Sequence, residues 1–104
     1  MPNPLRGEVW LVDLGLAAKV RPCLVLSIPV THADRALATL VSHTTSVRGS
    51  RFEVVANGKF LRVGAFDVQN LVTIPVVKLL RKLGSLSASD LRSVEGAVRL
   101  WLGL

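Results

Sequence analysis

The stretch Gly7 to Leu14, GEVWLVDL, sets Trp10, Val12 and Leu14 on one side of a period-two pattern, with Glu8 and Asp13 near its ends. Alternation of this kind predicts a strand. After a loop at Gly15 to Val20, Arg21-Pro22 opens a second run, CLVLSI at Cys23 to Ile28, which is continuously apolar. A strand covered on both faces reads this way, and Pro22 is expected at its first position, where a proline is tolerated. Thr31 to Leu37 reads as one helical turn or a loop, and Ala38 to Thr45 (ATLVSHTT) as a third strand that turns polar towards its end. Ser46 to Ser50 is a connection, and Phe52 to Ala56 is a short strand before the Asn57-Gly58 turn signal. The hairpin is expected to continue through Phe60 to Val63. A further strand is expected at Val68 to Ile74, broken by Pro75, followed by Val76 to Leu80 and the basic group Lys78, Arg81 and Lys82. Short strands spaced at about 8 to 12 residues predict a mainly β domain, a small barrel or sandwich.

The period changes at the C-terminal end. Leu91, Val94, Val98 and Trp101, with Leu102 beside it, recur at three- and four-residue steps as one apolar stripe. That predicts a terminal helix of about 15 residues, over residues 88–102. Ser87 is its expected cap, with Asp90 in the capping-box position and near the positive end of the helix dipole. Glu95 and Arg99 are spaced as an i, i+4 pair on the opposite face, an interaction of about 0.3 kcal/mol.

The chain has 104 residues, with 13 Lys or Arg against 7 Asp or Glu, for a net charge of +6. Its length makes one domain over residues 1–104 the expectation. Half the residues are apolar and 19% are charged, a balance that favours a packed core over disorder. A chain this size buries only about 65% of its unfolded surface, which leaves room for stabilisation by oligomerisation. The longest apolar run, Cys23 to Val30, is interrupted by Ser27 and Pro29 and falls short of the roughly 20 residues that span a bilayer, so no membrane span is expected. The opening MPNPLRGEVW lacks the apolar core of a secretory signal, so a cytoplasmic location is expected. One cysteine makes no internal disulfide, and Cys23, His32 and His43 lack the paired spacing of a zinc site, so no metal is expected. The surplus of positive charge makes a field to which RNA, DNA or an acidic protein segment would all respond. Charge alone does not choose among them, and solubility is the remaining reading.

Three places carry side chains suited to chemistry. Arg21, fixed beside Pro22, offers the rigid guanidinium that bidentate phosphate recognition needs; a surface ion pair with Asp13 is the alternative. In Ser42-His43-Thr44-Thr45-Ser46, strand alternation puts His43 and Thr45 on one face and Ser42, Thr44 and Ser46 on the other. An imidazole and a hydroxyl on one face can hydrogen-bond a phosphate or move a proton near neutral pH, and a hydroxyl-rich strand edge is the alternative. Arg48, Arg51, Lys59 and Arg62 form a cationic stretch with Phe52 and Phe60 interleaved. It suits a nucleic-acid backbone with bases stacked on the rings, or else a solvated face over core phenylalanines.

Together, RGEVWLVDL at Arg6 to Leu14, RPCLVLS at Arg21 to Ser27 and the strand ending in HTTS at His43 to Ser46 resemble the MazF/PemK family of toxin endoribonucleases. The tail GSLSASDLRSVEGAVRLWLGL is similar to that family's terminal helix, so the likeness covers almost the whole chain. It implies an SH3-like barrel of five to seven short strands with a C-terminal helix. It also implies a homodimer that cleaves single-stranded RNA at short motifs with no metal or other cofactor, and a cognate antitoxin whose acidic tail covers the RNA groove. The family's catalytic arginine falls on Arg21 and its catalytic threonine on Thr45. His43, Ser46, Asp67 and Gln69 are further candidates for catalysis or RNA binding, and Lys19, Arg48 and Arg51 for contact with the RNA backbone. The chain departs from the family in its short loop at Gly15 to Val20. In FDVQNLVTIP it also has Gln69 near the position of a carboxylate and Val72 at that of an arginine, with Asp67 as the expected substitute. A second reading is a non-catalytic SH3-like toxin or binding module that targets DNA gyrase or another partner.

Overall fold

The computed structural model describes residues 2–15, 17, 19–56 and 58–104. Six strands, β1 (Glu8–Asp13), β2 (Val20–Val25), β3 (Leu37–Thr44), β4 (Glu53–Val54), β5 (Ala65–Pro75) and β6 (Leu79–Ser85), precede one helix, α1 (Ala88–Leu102). They form a single antiparallel sheet in the order β4-β5-β3-β2-β1-β6. The mainly β architecture with a terminal helix agrees with the sequence. Among the described residues no pairing joins β4 to β6, so the sheet is not closed into a barrel.

Side chains alternate between the two faces of the strands, and both faces are packed. Val9, Leu24, Val41, Phe66 and Val68 meet Val94 and Ala97 of α1 on one face. Val12, Cys23, Val25, Ala38, Leu40 and Leu79 form the core of the other. This two-sided burial is why Cys23 to Val25 carries no polar residue. Cys23 is fully buried, and burial pushes its thiol up to about 12 against the opposing pull of the Arg21 charge.

The helix forms where its apolar stripe predicts. Ser87 caps it, its side chain accepting from the Asp90 backbone N–H, and Gly103 ends it in the left-handed region at φ 71°. Glu95, however, pairs with Arg6 across the fold, not with Arg99. Glu8 joins three parts of the chain: its carboxylate accepts from the Leu5 N–H (2.7 Å) and the Trp10 indole (3.0 Å) and pairs with Lys82 of β6 (2.9 Å).

The structure departs from the sequence reading at several points. β2 starts at Val20, so Pro22 is its third residue instead of its first. It is tolerated because β3 pairs with β2 only from Cys23 onward, leaving Pro22 at an edge on that side. Phe60 to Val63 is not a strand. Its Phe60 ring lies over the backbone of Gly84, where an added Cβ would come within 2.5 Å of the ring. β5 begins at Ala65, earlier than expected, and Val76–Lys78 is a 3-10 turn leading into β6. Asn57 of the expected turn, and Leu16 and Ala18 of the first loop, lie outside the described residues.

Candidate active site

The β2–β3 ladder ends at the pair Cys23 with Ser42. Arg21-Pro22 and His43-Thr44-Thr45 lie beyond that last ladder pair, and a recess of about 460 Å³ opens there. Arg21, His43, Thr45, Phe60, Arg62 and Arg81 line it. Strand parity accounts for part of this: His43 lies on the same face as Val41, and Thr45 follows it two residues later. Arg21 and Thr45 are exposed.

His43 forms one wall of the recess. It is 4% exposed, stands edge-on to Phe66 at 5.2 Å, and its Nε2 has no hydrogen-bond partner among the described residues. Burial holds its imidazole below the ordinary histidine value. At neutral pH it is therefore uncharged, a proton acceptor and not a cation.

The remaining candidates divide by face. Ser46, Arg48, Asp67 and Gln69 line a separate polar recess together with Thr44 and Glu53. A bulge puts Asp67 opposite Ser42, with Leu71 already opposite Val41. The Asp67 carboxylate accepts from Asn70 Nδ2 (2.9 Å) and the Gln69 N–H (3.1 Å). Glu53 accepts from the backbone N–H groups of Arg48 (2.9 Å) and Ser50 (2.7 Å), which hold its carboxyl below the usual range and fix the 48–53 loop. Arg21 faces both sides, because it also lines a recess with Ser42, Thr44 and Asn70 on the other face of the sheet. Asp67 and Gln69 thus reach the neighbourhood of Thr44 but not the Arg21–Thr45 recess.

Lys19 and Arg51 line none of these recesses. Lys19 holds φ 56° at the end of the first loop, its N–H bonded to the Gly15 carbonyl (2.9 Å). The Arg51 guanidinium lies 4.7 Å over the Phe52 ring, which in turn meets Trp101 edge-on at 5.2 Å. Arg81 is the residue that sequence reasoning missed. Its place in the recess depends on a strand irregularity that no local pattern announces. Among the described residues no group of three His, Cys, Asp or Glu side chains gathers, and no helix is long and apolar enough to cross a membrane.

A mainly β protein of one open sheet and one terminal helix, with an arginine-lined recess where two strands part, is the class this geometry defines. Residues 5–102 match the family described as PemK-like, MazF-like toxin of type II toxin-antitoxin system, and the chain belongs to that family. Among similar solved structures, an endoribonuclease from a mycobacterial species, in complex with its cognate antitoxin, is 27% identical. It covers 97% of this chain and 96% of its own, with a TM-score of 0.83. The Mycobacterium tuberculosis toxin MazF-mt6 is also 27% identical, over 93% of this chain and 97% of its own, with a TM-score of 0.75. MazF from Deinococcus radiodurans, 24% identical over 100% of both chains with a TM-score of 0.83, shares the fold.

Proposed function

We propose that the chain is an endoribonuclease that cleaves single-stranded RNA without a metal ion and thereby inhibits growth, with Arg21 and Thr45 as its catalytic residues. The observation that carries this reading is that Arg21 of β2 and Thr45, just past the end of β3, line one recess that has no carboxylate in its wall. RNA brings its own nucleophile in the 2′-OH. The 2′-oxygen attacks phosphorus, the bond to the 5′-oxygen breaks, and a 2′,3′-cyclic phosphate and a 5′-hydroxyl result. The nucleophile's proton passes to a base and the leaving oxygen gains one. Charge on the phosphorane oxygens exceeds that on the ground-state phosphate, so a fixed guanidinium stabilises the transition state more than the substrate. Arg21 supplies the positive charge that a metal ion would otherwise bring, and Thr45 hydrogen-bonds the phosphate. His43, neutral in the wall of the recess, is the candidate for the base; Ser46, Asp67 and Gln69, in the separate polar recess beside Thr44, serve RNA binding. Lys19, Arg48 and Arg51 contact the RNA backbone outside the recess.

The same reading includes a cognate antitoxin with an acidic tail, to which a net charge of +6 is complementary, a cytoplasmic location, and a homodimer. A groove of about 400 Å³ between α1 and the sheet, where Leu26, Leu71, Val98, Leu102 and Leu104 lie beside Arg6, Glu95 and Arg99, supports pairing of two copies.

Purified protein, incubated with a long single-stranded RNA in EDTA, is expected to cut it and leave 2′,3′-cyclic phosphate ends. Arg21→Ala is expected to lower the rate by about 10² to 10³ with folding retained. Thr45→Val removes the hydroxyl but keeps the β-branch and is expected to lower the rate as well. Light scattering of the same preparation is expected to give twice the chain mass of 11.2 kDa; a monomer at micromolar concentration removes the homodimer. Parental rates in both variants refute the site, and a parent that arrests growth without cutting RNA gives the lead to the gyrase-type binding toxin.

A further inference from the structure

We propose that Arg62 and Arg81 form a second phosphate site beside Arg21, holding the phosphate next to the scissile one on the same RNA strand. This rests on the reading of the recess as the RNA-cleaving site. Arg21, Arg62 and Arg81 all line the recess, with no Asp or Glu among the residues that line it. Among the described residues neither Arg62 nor Arg81 takes part in an ion pair; the two pairs present are Arg6 with Glu95 and Lys82 with Glu8. Cations that share one concave surface without acidic neighbours repel one another and focus a positive potential. A ligand that relieves this carries more than one negative charge along its length.

The backbone is shaped to hold both side chains there. In the β1–β6 ladder Val12 faces Leu79 but Leu11 faces Arg81, so a bulge leaves Leu80 unpaired. Leu79 belongs to the core with Val12, on the face away from the recess. In a regular strand a residue two places on would share that face; the bulge turns Arg81 onto the recess side, with Leu11. On that side Arg81, Leu11 and Pro22 form a cross-strand row. The row spans two strand spacings, about 10 Å; Arg21, next to Pro22 in sequence, pairs with Val12 on the alternate parity and lines recesses on both faces. Arg62 is held by a different device. Phe60, two residues before it, packs over Gly84 of β6, where any side chain would collide with the ring. Two separate irregularities therefore accompany the two arginines that line the recess together with Arg21. His43 lines the same recess, and its buried Nε2 has no partner among the described residues. A volume of about 460 Å³ accommodates more than a single phosphate oxygen cluster.

The test uses a 2′-O-methyl RNA octamer of mixed sequence, which lacks the nucleophile and stays intact, with affinity measured by anisotropy across a salt series. Arg62→Gln and Arg81→Gln are each expected to weaken binding about tenfold and to lower the slope of log K against log salt by about 0.7. Arg81→Lys is expected to keep the slope while losing part of the affinity, because the charge remains but the bidentate fork does not. In cleavage assays the Gln variants are expected to raise KM and leave kcat within about threefold, unlike Arg21→Ala, with thermal unfolding unchanged. A double Gln variant that binds with parental affinity and slope, in a protein that cleaves RNA, overturns the second site while the cleavage reading stands. A fall in kcat with unchanged KM also overturns it, as does loss of binding only to polyglutamate, which would assign these arginines to an acidic protein tail. A parent that neither binds nor cuts RNA overturns both readings.

Discussion

Gly64 is the most confined glycine of the chain, and replacing it by alanine tests whether the end of β3 is held in place by close backbone approach. An added Cβ would lie 2.2 Å from the Thr44 carbonyl oxygen, 2.8 Å from His43 Cε1 and 3.0 Å from the Thr44 carbonyl carbon. The nearest of these is backbone, with no rotamer to turn away, so relief requires the chain at Gly64 to move from β3 by roughly 1 Å. That displacement strains the pair of Thr44 with Ala65. Losing one or two ladder hydrogen bonds costs about 1 kcal/mol each, and overpacking adds about 1 to 3 kcal/mol. A total of about 2 to 5 kcal/mol corresponds to a fall in Tm of roughly 10 to 25 °C for a domain of this size. Thr45 follows Thr44 directly, so the strand end that carries it shifts as well; a misplacement of about 1 Å can cost 10²-fold in rate. The assays are calorimetry and RNA cleavage well below the variant's Tm. An alanine variant that unfolds within a degree of the parent and cleaves at the parental rate would refute the argument that this contact positions the site.

Acid is expected to destabilise the fold in two steps. Burial lowers His43, and at Glu8 the raising effect of burial is outweighed by the Leu5 N–H, Lys82 and the Trp10 indole, so both groups titrate lower when folded. The unfolded chain then binds more protons, and stability present above the unfolded values is lost as pH falls, from about 6.5 downward for His43 and about 4.3 downward for Glu8. Urea midpoints across pH should show both steps, with His43→Gln flattening the first and Glu8→Gln the second; a parent with a flat midpoint between neutral pH and 5 contradicts this. Arg48→Ala and Arg51→Ala are each expected to lower the salt slope of RNA binding by about 0.7. Arg51→Ala should in addition lose about 0.5 to 1 kcal/mol of stability with its seat on Phe52, and a slope unchanged in both returns them to the solvated surface.

Elements whose pattern is local were legible in the sequence. GEVWLVDL alternates because β1 has two distinct faces, and the stripe from Leu91 to Trp101 is helical because α1 lies along the sheet on one side. Thr45 and His43 on one face follow from parity alone. Other features depend on partners distant in the chain. Pro22 is internal to β2 because β3 stops pairing at Cys23, which no residue near Pro22 records. Phe60 is drawn out of a hairpin by Gly84, and Glu95 prefers Arg6, 89 positions away, to Arg99 one turn on. Arg81 was hidden for the same reason: a bulge at Leu80 is a property of the β1–β6 pair, not of LLRKLGS read alone.

Cys23 sits two residues after Arg21 on the same strand, fully buried, its thiol raised to about 12 by burial. At neutral pH the thiol stays protonated, and no solvent reaches it while β2 is in place. Alkylation must then wait for the sheet to part, and its rate measures how often the strand that carries Arg21 leaves its neighbours. The only cysteine in the chain is in effect a stopwatch placed beneath the proposed catalytic arginine. Anything that clasps the two strands across the recess, whether RNA or an antitoxin segment, slows that clock without needing a label of its own.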